Sequence, residues 1–272
     1  MAVLTISQER GSGGAGIAAR VGEILGLRVA DREIILKAAR AYGVQEARLE
    51  EVADKAPTLW ERIDEEKRRY SIYVREAMYD LAREGQVVLE GRGGAVLLRE
   101  VPHVLKIRIV APLPVRARRV AEQEKLDPET ALQIVERDDR DRAARMRYLY
   151  DVDWRDPRLY DLVLNTGHLS AESAAEVIVT LARKPEFTMT AESLAALADL
   201  FLASKVEAAL ASDPRTRGAV LTASCRGRRV LVTGGVYSET SKRAVEEIAR
   251  GVPGVAGVQT DLYIEPIAWG LS

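Results

Sequence analysis

Five short β-branched runs, "AVLTIS" (2–7), "LRVAD" (27–31), "QVVLEG" (86–91), "VLKIRIVAP" (104–112) and "YDLVLNTG" (160–167), are separated by stretches with helical spacing. Apolar runs of this length, alternating with helices, predict a parallel sheet buried under helices on both faces. The first unit is the clearest. Ile17, Val21, Ile24 and Leu25 recur at helical spacing over 13–26, and Gly26 is a natural stop. From Gln45 to Gly85 the chain is charged, periodic and free of glycine, which predicts two helices broken near Pro57. A further helix is expected from Asp127 to about Tyr150, opened by "DPET" with Asp127 as N-cap and Pro128 at the first helical position.

At 272 residues the chain exceeds the usual size of one domain, and its 47% apolar content supplies more than one core. The composition changes near "ARKPEFTMTAES", where Pro185 interrupts the helical pattern that starts after Ser170. We expect one domain over 1–184 and a second over 190–266. The second reads as a helix (about 191–211), a turn at "SDPRTRG", two strands, a helix (238–250) and a last strand, "GVQTDLYIEP". That order predicts a small α+β module with its sheet covered on one face.

Forty basic against 41 acidic residues leave a net charge of −1, which gives no global electrostatic reason to bind nucleic acid. A site for an anion must be local. The single cysteine, Cys225, rules out an intramolecular disulfide, and two histidines, His103 and His168, leave little for a zinc site. Cys225 falls in a predicted strand and reads as a small buried hydrophobe. With neither a signal-like N-terminus nor an uninterrupted apolar span of about 18 residues, a soluble cytoplasmic protein without a transmembrane segment is expected.

Three stretches are able to carry chemistry. In "ISQERGSGGAGIAAR" a strand runs into Gly11, Gly13, Gly14 and Gly16 and then into a helix. Such a turn wraps backbone N–H groups around a phosphate at the helix's positive end, or serves only for tight packing. Arg92 in "VVLEGRGGAVLL" follows a buried strand; in an open parallel sheet it shares the carboxyl-end crevice with the glycine loop. It either grips phosphate oxygens through two nitrogens or pairs with Glu90 or Glu100 at the sheet rim. In "ERDDRDRAARMR", Arg137, Arg140, Arg142, Arg145 and Arg147 share a helix with Asp138, Asp139 and Asp141. The i,i+4 pairs Glu136–Arg140, Arg137–Asp141, Asp138–Arg142 and Asp141–Arg145 suit a solvated helix. A movable arginine lid that neutralises transferring phosphoryl charge is the other reading.

"GRGG" after a strand, then "APLPVRARRV", "ERDDRDR" and "DLVLNTGHLSAESAAEVI", resembles the cytidylate kinases. More closely, it resembles the cytidylate kinase-like group with an S-x-E-x-G-S-G-G loop. The resemblance covers about residues 1–183 and implies a P-loop nucleoside monophosphate kinase fold. It also implies transfer of the γ-phosphoryl group of ATP to CMP or dCMP with Mg²⁺. Carried onto this chain, the donor phosphates fall to Arg10, Gly11, Ser12, Gly13, Gly14, Ala15 and Gly16. The acceptor falls to Asp31 and Arg92. Arg92, Arg137, Arg140, Asp141, Arg142 and Arg145 supply the catalytic charge, and Glu90 or Asp31 a water-mediated magnesium contact.

The chain departs from the family pattern in places. Gly14, or Ile17 in the other register, stands where the phosphate-loop lysine is expected, and no hydroxyl follows it. Gly93 replaces an aspartate that often follows the "GR" pair, and Ala144 interrupts the arginine series. Arg10 or Lys37 is a candidate for the missing charge. Residues 191–265, with "GGV-x-S", "A-x-x-I-A" and "VPGV-x-x-V", resemble a BON domain, a ligand- or surface-binding module without catalytic residues, read here as regulatory or self-associating. Three functions remain open: a kinase for a pyrimidine monophosphate, a silent or weakly active nucleotide sensor coupled to that module, and a membrane-surface or scaffold adaptor. Arg68, Arg69 and Arg75 lie on a helix that either borders the acceptor site or, the reading preferred here, presents an exposed basic face.

Overall fold

The structure is a computed structural model that describes residues 2–49 and 65–265. Five parallel strands form the first sheet: β1 (Val3–Gln8), β2 (Arg28–Ala30), β3 (Val87–Glu90), β4 (Val104–Val110) and β5 (Leu162–Asn165), in the order β2-β3-β1-β4-β5. β1 therefore lies between β3 and β4, and the turns that leave β1 and β3 emerge side by side.

Both faces of the central strands β1, β3 and β4 are buried, as the apolar runs require. Val3, Val87 and Leu89 face a core built with helices α2 (Arg32–Tyr42) and α3 (Glu65–Glu84). Leu4, Ile6, Val88 and Ile107 face the other core, built with α1 (Gly14–Leu25) and α7 (Ala171–Ala182). Ile17 and Val21 of α1 are fully buried there, each contributing about 1.5–3 kcal/mol of transfer free energy. Between these lie a one-turn helix, α4 (Gly94–Leu97), then α5 (Leu113–Glu124) and the long α6 (Pro128–Tyr150). α6 starts where the sequence predicts, with the Asp127 carboxylate accepting from the Thr130 N–H at 2.9 Å. The predicted break near Pro57 lies outside the described residues.

The C-terminal part has a three-stranded sheet, β6 (Leu221–Arg226), β7 (Arg229–Val236) and β8 (Gly257–Ile264), with α9 (Glu239–Gly251) joining the parallel pair β7 and β8. Helix α8 (Ala191–Ser212) packs on both parts of the molecule. Leu197, Phe201 and Ala208 belong to the core around α3, whereas Leu202, Val206 and Leu210 belong to that of the second sheet. At 100° per residue these two sets fall on opposite sides of the helix. The fold is thus an α/β kinase-like sheet plus a smaller mixed-sheet module. No helix among the described residues is long and apolar enough to cross a membrane.

The face of α3 that carries Arg68 and Arg75 is not a solvated basic surface. Arg75 pairs with Glu207 of α8, and Arg68 Nη2 donates to the Arg217 carbonyl at 3.1 Å. The second module supplies the partners that the sequence of α3 does not reveal.

Candidate active site

The turn after β1 is fixed by glycines at two crowded positions. Gly11 has φ +79°, and a Cβ there would stand 2.6 Å from the Arg116 carbonyl oxygen. A Cβ on Gly14 would meet the Gln8 side chain at 2.5 Å. Left-handed Gly13 then opens α1, whose first turn has no capping side chain and no acidic residue. The positive helix end is therefore left for an anion or solvent.

The loop's carbonyls are tied back. Arg119 Nη1 donates to the carbonyls of Gly11 (3.3 Å) and Ser12 (3.4 Å), and Thr166 Oγ1 donates to Ser12 at 2.7 Å. Because a trans peptide points its N–H opposite to its C=O, this turns the Gly13 N–H away from Thr166. Glu9, at the loop entrance, accepts from Arg108 Nη2 at 3.0 Å and pairs with Arg116 Nε at 3.3 Å. The Ser12 hydroxyl is fully buried and has no hydrogen-bond partner among the described residues.

The turn after β3 carries the second half of the site. Gln8 donates to the Glu90 carboxylate and so joins the two turns. Burial, and then the neighbouring Asp31 carboxylate, raise the Glu90 pKa above the ordinary range against the pull of Arg142. Arg92 adopts φ +53°, is almost entirely buried and pairs with Asp31 at 3.2 Å rather than with Glu90 or Glu100. Both residues expected at the acceptor therefore touch.

Above Arg92 passes α6, whose Arg142 and Arg145 line the same cavity together with Thr5, Trp154 and Tyr160. Arg108 lies over the Trp154 ring, 4.0 Å from its centroid, and Arg142 lies 5.4 Å from it. The Trp154 carbonyl accepts from Arg108 Nη1 (2.6 Å) and the Tyr160 hydroxyl (2.8 Å). Thr5 Oγ1, Arg142 Nε and Trp154 Nε1 are buried without hydrogen-bond partners among the described residues. Three guanidinium groups around donors that lack acceptors make a pocket suited to an oxyanion.

The other candidates lie elsewhere. Arg10 pairs with Glu124 at 2.7 Å. Arg137 and Arg140 are on the exposed flank of α6, 3.7 Å from Asp141 and 3.9 Å from Glu136. Arg142 pairs with Asp138 at 3.2 Å as well as facing the cavity. Lys37 bridges Asp80 (2.7 Å) and Glu84, contacts whose pull exceeds the effect of burial and raises its pKa. Ala15 and Gly16 are exposed in the first turn of α1.

Sequence reasoning missed Glu9, Arg108, Arg116, Arg119 and Trp154. One signal was available: Arg108 is a charge in the middle of the apolar run "VLKIRIV", only 3% exposed, and such a residue requires a built partner. No group of three or more His, Cys, Asp or Glu residues able to hold a metal ion occurs among the described residues. Mg²⁺ needs only one or two carboxylates beside substrate phosphates, and the repelling pair Glu90 and Asp31 fits that demand.

The model of the cytidylate kinase-like family matches residues 3–168, and that of the BON domain matches residues 199–266. A cytidylate kinase of Methanopyrus kandleri is 34% identical over 185 residues, covering 65% of this chain and 90% of that protein. One from Pyrococcus horikoshii is 32% identical over 178 residues, covering 65% and 85%. Among solved structures, an uncharacterized protein from Eubacterium ventriosum superposes with a TM-score of 0.52 at 21% identity, covering 67% of this chain and 98% of that one.

Proposed function

Starting from the fact that this chain belongs to the cytidylate kinase-like family, we propose that it transfers the γ-phosphoryl group of ATP to CMP or dCMP. The observation that carries this reading is the adjacency of two opposed devices. The amide-lined turn of β1 and the cavity of Arg92, Arg142 and Arg145 lie at the carboxyl ends of neighbouring strands, joined by Gln8 and Glu90.

In this reading the N–H groups from Gly11 to Gly16 hold the donor phosphates, and Arg92, steadied by Asp31, holds the acceptor phosphate. Arg142 and Arg145 spread positive charge over the transferring group without a covalent intermediate. Arg137, Arg140 and Asp141 join only as α6 closes. Bound magnesium would neutralise the donor's phosphate oxygens, with Glu90 and Asp31 as its anchors through water. Catalysis comes from positioning and preset charge. Coupled ADP release with CMP, dCMP and UMP tests the reading; no turnover with any of the three sinks it.

One observation favours a second reading, a nucleotide sensor. The loop has no lysine, and the two cations suggested as substitutes, Arg10 and Lys37, are held in ion pairs with Glu124 and with Asp80 and Glu84. Loss of one preset contact costs about 10²–10³ in rate. Labelled ATP that binds without turnover would select the sensor.

A further inference from the structure

Glu207 of α8 is only 5% exposed, yet it carries a charge. Its Oε1 accepts from the Ala223 N–H of β6 at 2.7 Å, and its Oε2 pairs with Arg75 of α3. An ion removed from water this completely depends on the geometry of its partners. Glu207 therefore fixes Arg75 to the second sheet.

Arg75 is next to the candidate acceptor pocket. Its neighbour Val74 and residue Ser71, one turn earlier, wall the cavity that also contains Arg92, Arg145 and Tyr150. Tyr150 packs so tightly on Gly93 that a Cβ there would stand 2.6 Å from its Cε2, and Gly93 follows Arg92. Tyr79 donates to the Leu97 carbonyl at 3.2 Å, at the end of the helix that Gly93 opens. One hydrogen bond thus runs from α3 to the helix that follows the Arg92 turn, and Tyr150, packed on Gly93, shares the cavity wall with Ser71 and Val74 of α3. The glycine loop is braced by Arg108, Arg116, Arg119 and Thr166, none of which comes from α8 or the second sheet.

We propose that Glu207 is a positioning residue for the acceptor nucleotide: by holding Arg75 it sets the wall of Ser71, Val74 and Tyr150 against which Arg92 is placed. The C-terminal module then completes the acceptor half of the site and leaves the donor half alone. This inference rests on the kinase reading above.

The full-length Glu207→Gln chain keeps an oxygen for the Ala223 amide and loses the charge. Its KM for CMP should rise about tenfold, the effect of one lost charge-assisted hydrogen bond, with kcat and the KM for ATP within twofold of the parent. Arg75→Lys should retain most of the parent's CMP affinity and Arg75→Met should lose it. An unchanged KM for CMP, or equal rises for both substrates, overturns the proposal. Hydrogen exchange over residues 93–98, measured without nucleotide, checks the linkage separately from the reaction. If the parent binds no nucleoside monophosphate, the kinase reading fails; faster exchange in Glu207→Gln would still uphold the coupling, and unchanged exchange would overturn it.

Discussion

Arg116 grips Asp139 with both terminal nitrogens, at 3.1 and 2.8 Å, while its Nε lies 3.3 Å from the Glu9 carboxylate. One buried guanidinium thereby ties the arginine-bearing helix α6 to the entrance of the glycine loop. Neither "ERDDRDR" nor "SQERGSGG" shows this tie alone. Asp139 is the acidic residue of that helix whose partner lies on another element.

Asp139→Asn should therefore be costlier than neutralising Asp141, whose pair with Arg137 is exposed, or Asp138, whose part-buried pair with Arg142 stays within α6. A buried hydrogen-bonded charge left half satisfied costs about 1–3 kcal/mol, against a few tenths for an exposed i,i+4 pair. Urea denaturation of the three variants checks the order. Equal midpoints would contradict it.

Arg92→Lys keeps the charge but not the planar fork. CMP binding, measured by calorimetry, should weaken about tenfold or more, because a point charge does not replace a bidentate contact. ATP binding should stay near the parent value. If the lysine variant binds CMP as tightly as the parent, the role given to the Arg92 guanidinium is wrong.

Gly11→Ala and Gly13→Ala separate crowding from strain. Both glycines have φ near +80°, but a Cβ on Gly13 meets nothing within 4 Å, whereas on Gly11 it strikes the Arg116 carbonyl. Gly13→Ala should cost about 1 kcal/mol of backbone strain and Gly11→Ala clearly more, with the larger loss of ATP affinity. Melting temperatures with and without ATP report both effects.

His103 supplies a pH dependence. It is 1% exposed, neither ring nitrogen has a hydrogen-bond partner among the described residues, and burial, with help from Lys106, lowers its pKa below the ordinary 6.5. Above that value both folded and unfolded chains carry a neutral imidazole, so His103 adds no slope. As pH falls through 6.5 the unfolded chain binds the proton first and stability drops, by up to about 1.4 kcal/mol per pH unit, until the folded imidazole titrates as well. His103→Leu should flatten this part of the stability curve relative to the parent. Parallel curves for the two chains would refute the assignment.

The thiol of Cys225 should be inert. Burial, and then the hydrogen-bonded Asp199 carboxylate, push its pKa up to about 12. At pH 8 the thiolate is a fraction of about 10⁻⁴, so iodoacetamide should alkylate it far more slowly than a free thiol. Asp199→Asn should speed the reaction; a fast reaction in the parent would show that the strand opens.

What could be read in the sequence follows from what is local. The runs at 2–7, 86–91 and 104–112 report a doubly buried sheet because the residues on both sides of each strand are predominantly apolar. Asp127 and Pro128 report a helix start because capping involves only three or four residues. Glycine spacing placed the loop, and "GRGG" placed Arg92 beside it. Long-range pairing was not legible. Arg142 and Arg145 face the cavity while Arg137 and Arg140 face water, and only the position of α6 against Trp154 decides which. The partners of Glu9 and Arg75 lie about a hundred residues or more away in the chain, so no spacing rule connects them.

Helix α8 has an apolar stripe on each side, one packed on α3 and one under the second sheet. A chain cut just before Ala191 would uncover the sites of Leu197, Phe201 and Ala208 on α3 and leave Arg75 without its counter-ion. The two sheets should consequently melt in a single cooperative calorimetric transition, and evolutionary loss of the tail would demand a rebuilt α3 surface.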